Sequence, residues 1–204
     1  MTEQADFWRG KFGDEYISRN ESDLLLASNL VFFSRIFESC AETPESFLEL
    51  GANVGMNIRA LKLLFPQSKF TGIEVNSEAA SRLGNIADNV IHGSIEEALI
   101  PGNYDFVFTK GVLIHLNPES LPLAYEKMYM ASSSWILIAE YYNPTPLQIE
   151  YRGHTNKLFK RDFAGEIMER FTGLKLHSCG FSYHKGNFPQ DDISWFLLKK
   201  SRTA

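Results

Sequence analysis

The chain has 204 residues, 44% of them hydrophobic and 22% charged, with a net charge of -5. That length fits one domain around one core, and the acidic balance excludes the broad basic face that non-specific nucleic-acid or anionic-membrane binding requires. The N-terminus carries acids and no apolar leader core, no stretch approaches the roughly 20 apolar residues of a membrane span, and Cys40 and Cys179 lack metal spacing; the expectation is a cytoplasmic chain with reduced thiols and no metal.

Residues 1–20 read as a polar segment punctuated by Phe7, Trp8, Phe12 and Tyr16. A helix follows over 21–40, with Leu24, Leu25, Val31, Phe32, Ile36 and Phe37 at near-helical spacing and Asn20 or Ser22 as its cap. Strands and helices then alternate. Strands are expected at 46–50, 69–75, 89–92, 104–110 and 135–141, with helices at 55–65, stopped by Pro66, at 77–85, and at 118–130, opened by Pro118. Such alternation indicates βαβ units, a parallel sheet and, through right-handed crossovers, helices on both faces. Residues 142–160, with Pro144, Pro146 and Gly153, read as a loop, and 161–171 as a helix. Strands at 174–183 and 193–199 have no helix between them and are expected to pair antiparallel. The spacing thus predicts one α/β domain over 1–204: an N-terminal lid and helix (1–41), a core (46–141), and a loop, helix and closing strands (142–204).

The strongest motif is Glu49-Leu50-Gly51-Ala52-Asn53-Val54-Gly55, between a strand and a helix. Gly51 permits the sharp turn and Gly55 a close backbone approach. Glu74 ends the second strand about 20 residues later, where an acid can bond ribose hydroxyls. Together they indicate a nucleoside-containing ligand. A solvated carboxylate beside an empty turn is the bland alternative.

The Glu49-x-Gly51-x-Asn53-x-Gly55 pattern, with Asn53 in place of a middle glycine, resembles the first motif of the class I S-adenosylmethionine (SAM)-dependent methyltransferases. The segment from Asp105 through Val107 and Val112-Leu113-Ile114-His115-Leu116 is similar to that superfamily's fourth-strand motif. Phe7-Trp8-Arg9-Gly10-Lys11-Phe12-Gly13, Glu140-Tyr141-Tyr142-Asn143-Pro144, Tyr151-Arg152-Gly153-His154 and Leu158-Phe159-Lys160-Arg161-Asp162-Phe163 resemble methylases associated with pseudaminic acid biosynthesis. The resemblance implies a Rossmann-like doubly wound sheet, mostly parallel, closed by an antiparallel pair. It also implies methyl transfer from SAM, leaving S-adenosylhomocysteine (SAH), to N or O of a small acceptor such as a nonulosonic sugar.

Carried over position by position, the resemblance implies cofactor roles for Glu49, Gly51, Asn53, Gly55, Glu74, Val75, Asn76, Gly93, Ser94, Ile95 and Lys110. Residues 1–20 would fold over the cofactor, with Tyr16 and Arg19 reaching its carboxylate. In-line transfer needs alignment, exclusion of water and a base for the acceptor's proton; His115 is the first candidate, His154 and Tyr141 the next. The basic cluster 151–161 offers Arg152, His154 and Lys157 to an anionic acceptor. Asp191 and Asp192 read as a solvated turn. Two other readings stay open: a nicotinamide-dependent sugar oxidoreductase, which the glycine turn and Glu74 permit, and a non-catalytic binding protein on the same fold. Oligomeric state has no signature in the sequence.

Overall fold

The computed structural model describes residues 2–17, 21–40 and 42–201. Two short helices open it, α1 (Glu3–Arg9) and α2 (Lys11–Ile17), followed by α3 (Asp23–Phe37), whose first turn is capped by the Ser22 hydroxyl. The alternating part is β1 (Ser46–Leu50), α4 (Met56–Leu64), β2 (Lys69–Glu74), α5 (Ser77–Leu83), β3 (Asn89–His92), β4 (Tyr104–Lys110), α6 (Leu121–Ala131) and β5 (Ser132–Glu140). Between β4 and α6 lie two 3-10 turns, Leu113–His115 and Pro118–Ser120. Then come β6 (Leu147–Tyr151), β7 (His154–Lys160), α7 (Phe163–Arg170), β8 (Leu174–Ser182) and β9 (Ile193–Lys200).

Seven strands form one sheet in the order β3-β2-β1-β4-β5-β9-β8. β3 through β5 are parallel, and β9 runs antiparallel to both β5 and β8. β1 shows why the inner strands read as continuous apolar runs: Phe47 packs on one face, Leu48 and Leu50 on the other. Phe33, Ile36 and Leu61 cover the first face from α3 and α4. Met128, Phe163 and Ile167 cover the second from α6 and α7. The fold is therefore the doubly wound α/β sheet with an antiparallel closing pair that the sequence predicts.

Two segments differ from expectation. Residues 142–160 are not a loop: β6 and β7 form a separate antiparallel ribbon. Its two-residue turn, Arg152 (φ 52) and Gly153 (φ 82), has both central residues left-handed, as a type I′ hairpin requires. Residues 3–17 are two helices hinged at Gly10, which the aromatic spacing alone did not indicate.

The chain leaves β1 for β2 and β3 on one side and returns to β4 and β5 on the other. The strand order thus switches between β1 and β4, opening a crevice beyond their carboxyl ends, where ligands of such sheets bind.

Candidate active site

A cavity of about 410 Å³ occupies that crevice, within the range of small-molecule sites. The turn after β1 forms one wall. Gly51 is left-handed (φ 72), and a Cβ there would lie 2.7 Å from both Val112 methyl groups, so glycine is needed for conformation and for space. Asn53 is also left-handed (φ 48), which Asn tolerates because its short side chain bonds locally; here Oδ1 accepts from the Val54 amide at 2.7 Å. The middle-glycine position is therefore filled without loss of its backbone conformation. Gly93 and Gly111 line the same cavity, and a Cβ on either would meet nothing within 4 Å, so the wall is open beside them.

The amides of this turn are already committed. Ala52 donates to the Ile73 carbonyl (2.9 Å), Asn53 to Glu74 Oε2 (2.7 Å), Val54 to Asn53 Oδ1 (2.7 Å) and Gly55 to the Ala52 carbonyl (2.9 Å). A pyrophosphate would need such amides free. What the turn presents instead is the Glu74 carboxylate, fixed by the Asn53 amide on one oxygen and the Asn76 amide (2.8 Å) on the other, with lone pairs left to accept from hydroxyl groups. Burial raises the Glu74 pKa, and its backbone amide partners oppose the rise.

Under the cavity floor, Glu49 accepts from Asn57 Nδ2 at 2.6 Å, and its second oxygen is buried without a partner. Burial pushes it up to about 8, with the Asn57 bond and the Lys110 charge opposing. Lys110 reaches the cavity; burial lowers its pKa, while Glu49, Asp191 and Glu140 pull the other way.

His115 stands on the 3-10 turn after β4. The buried Glu140 carboxylate at the end of β5 holds that turn, accepting from the amides of Val112, Leu113 and Ile114 at 3.0–3.4 Å. His115 Nδ1 lies 2.6 Å from the Lys157 carbonyl on β7. A carbonyl only accepts, so Nδ1 carries the hydrogen and Nε2 the lone pair. Burial pushes this imidazole down to about 4, which keeps it neutral at neutral pH. Trp8 and Tyr151 pack on it at ring separations of 4.7 and 4.9 Å. Burial raises the Tyr141 phenol, which therefore stays protonated.

Of the residues singled out from sequence, Tyr16, Gly51, Asn53, Glu74, Val75, Gly93, Ser94, Ile95, Lys110, His115, Tyr141 and Arg152 line the cavity. Others stand behind its wall. Gly55 caps α4. Asn76 spends its side chain on the Ala79 amide, the Trp8 carbonyl and Asp14. Lys157 is buried against Glu3 (2.5 Å), and His154 packs edge-on to Phe7 and Phe12, so neither faces the cavity that the basic cluster was expected to serve. Arg19 lies outside the described residues. Asp191 is no mere turn residue: with Gln190, Trp8 and Tyr151 it lines the cavity. Trp8 and Tyr151 stand in the segments that carry the resemblance without a cavity role, and Gln190 and Asp191 have no such signal; α1, the hairpin and the β8–β9 loop meet there only in the folded chain.

No protein-family model and no curated protein sequence matches this chain. Solved structures do. The plantazolicin methyltransferase BpumL in complex with SAH superposes with a TM-score of 0.68 at 16% identity, over 98% of this chain and 94% of that one. Magnesium protoporphyrin IX methyltransferase (ChlM) from Synechocystis PCC 6803 with bound SAM gives 0.69 at 10% identity, over 98% and 99%. The mitomycin 7-O-methyltransferase MmcR gives 0.66 at 14%, over 98% of this chain and 61% of that one. At such identities the likeness establishes the shared fold.

Proposed function

We propose that this chain is a SAM-dependent methyltransferase acting on N or O of a small anionic acceptor. One observation carries the reading: at the switch point, a turn whose amides are all spent internally presents a fixed carboxylate, Glu74, to the cavity. Such a wall suits a ribose diol and disfavours a pyrophosphate. Methyltransferases with SAM or SAH bound share the fold, and the motif around Glu49–Gly55 resembles theirs.

The residues present fit that cofactor. Glu74 would take the ribose hydroxyls, the open backbone at Gly93 and the side chains of Ser94 and Ile95 the nucleobase, and Glu49, Lys110 and Tyr16 the amino-acid end. When bound, SAM supplies a methyl group already activated on a sulfonium sulfur. The chain's own contribution is alignment, dryness and proton handling. Trp8 and Tyr151 wall the cavity beside His115 and exclude water. His115 Nε2 holds the acceptor's N–H or O–H hydrogen. A weak base suffices, because that hydrogen becomes strongly acidic as the heteroatom is alkylated. Arg152 at the mouth, its guanidinium 5.6 Å over the Tyr151 ring, offers a fork for a carboxylate or phosphate. The resemblance of the terminal segments to pseudaminic-acid-associated methylases makes a nonulosonic sugar or its precursor the first acceptor to try.

The test is calorimetric titration of the folded protein with SAH, then mass spectrometry of candidate sugar acids incubated with enzyme and SAM. A Kd in the micromolar range and a gain of about 14 mass units on one acceptor are expected. Absence of SAH binding by folded protein would remove the reading.

A further inference from the structure

The segment after β3 carries Gly93, Ser94, Ile95 and Glu96 along the cavity. It is a single helical turn. The Ser94 carbonyl accepts from the Glu97 and Ala98 amides, and the Ser94 hydroxyl accepts from Glu97 as a cap. One turn of helix is unstable alone, since nucleation fixes several residues for one bond, and its carbonyl end is left without donor partners. Lys127, on the α6 face toward the segment, answers that deficit. Its ammonium donates to the carbonyls of Ile95 (2.8 Å), Glu96 (2.7 Å) and Ala98 (2.7 Å), using all three hydrogens. The opposite side of the turn is fastened to α1, by Thr2 Oγ1 on Glu96 (3.3 Å) and by Arg9 on Glu97 (3.3 Å). The two α1 ties are long, and the Arg9 pair is half-exposed, so they are worth little. Lys127 is the stronger anchor: half-buried, charge-assisted and three-pronged.

We propose that Lys127 is the positioning residue of the nucleobase wall: by clamping three carbonyls it holds the 94–98 turn in the shape that accepts the base. This rests on the reading of the cavity as a nucleoside site. Lys127 itself does not line the cavity, and nothing in its local sequence, Tyr125-Glu126-Lys127-Met128, marks it out from a surface lysine.

Lys127→Met keeps the aliphatic stem and removes the ammonium. Two measurements on the full chain decide. Hydrogen exchange should accelerate at the Glu97 and Ala98 amides while those of β1, β2 and β4 stay protected, and the Kd for SAH by calorimetry should rise at least tenfold. A merely structural lysine would lower the melting temperature and leave the SAH affinity of the folded protein unchanged; that result overturns the proposal. So does weakened SAH binding with exchange at Glu97 and Ala98 unaltered. Should Lys127→Met fail to fold, Lys127→Arg keeps the charge while its planar fork cannot meet three convergent carbonyls; a folded protein with a several-fold weaker SAH Kd is then expected, and an unchanged Kd overturns the proposal. If wild-type protein binds no SAH, the nucleoside reading fails. The exchange arm still reports separately whether Lys127 holds the turn.

Discussion

Glu49 lies where a carboxylate should repel its own burial. Pushed up to about 8, it is mostly protonated at pH 7 in the ligand-free protein. A ligand ammonium brought beside it favours the ionised form, so binding expels a proton. The sign follows: SAH affinity rises with pH between 6 and 8, by up to about tenfold per unit, one pKa unit being worth about 1.4 kcal/mol. Calorimetry in buffers of different ionisation enthalpy should register the released proton. In Glu49→Gln the slope should flatten and the proton release vanish; a slope that survives would detach Glu49 from the ligand's charge. Arg152 permits a cleaner substitution than removal to alanine. Its backbone is left-handed in a type I′ turn, a place Asn occupies more readily than Arg. Arg152→Asn should therefore leave the melting temperature equal or slightly higher and the SAH Kd unchanged, while raising the KM of an anionic acceptor roughly tenfold or more, the loss of a charge-assisted bond of about 1.5–3 kcal/mol. An unchanged KM would assign acceptor recognition elsewhere.

At the scale of elements, the cavity is closed by two pieces foreign to the sheet: the α1–α2 pair and the β6–β7 ribbon. They meet each other through Lys157–Glu3, Gln4 donating to the Asn156 carbonyl, and the Phe7, Phe12 and His154 rings. Asn76 ties α1–α2 to the sheet, donating from Nδ2 to Asp14 at 2.8 Å and to the Trp8 carbonyl at 3.3 Å, while its Oδ1 caps α5. Asn76→Asp separates these duties. The cap survives, since Asp caps as well as Asn, but the donor is lost and a carboxylate faces Asp14 and a carbonyl. Hydrogen exchange should then quicken in residues 3–17 and not in α5, with SAH bound more weakly; unaltered affinity would show that α1–α2 does not close the cofactor end. These elements were also the least legible in the sequence. β1 and β4 were readable to the residue because inner parallel strands are largely buried and apolar, whereas the edge strand β3 was marked only by its Val90–Ile91 pair between polar ends. β6 and the first half of β7 are mostly exposed, so no alternating burial pattern marks them, and Pro144, Pro146 and Gly153 read as loop. The helices α1 and α2 have seven residues each, too short for periodicity to register. Gly51, Asn53 and Glu74 were visible because their chemistry is local to one turn and one strand end. The structural roles of Glu140, Lys127 and Asn76 were not, although the resemblance assigns Asn76 to the cofactor, because each role depends on partners brought near only by the fold.

The whole molecule joins a common sheet to a cavity whose proposed preference for a nucleoside over a pyrophosphate is independent of the acceptor. The same strand order and an acid after the second strand also serve nicotinamide enzymes, so the decision lies in the turn. Its amides from Ala52 to Gly55 all have protein acceptors, and the charged groups near its floor include Glu49 and Glu140 beside Lys110. A pyrophosphate placed there would meet no free donors from the turn and two buried carboxyl groups. A ligand with a diol and an ammonium meets matching partners. Ligand that binds only the folded state stabilises it by about 2.7 kcal/mol at one hundred times its Kd. At about 2–4 °C per kcal/mol for a chain of this size, SAH should raise the melting temperature by roughly 5–11 °C. NAD at the same concentration should leave it unmoved. An equal shift with NAD would mean that the amides exchange partners on binding, and the cavity would then belong to a dinucleotide.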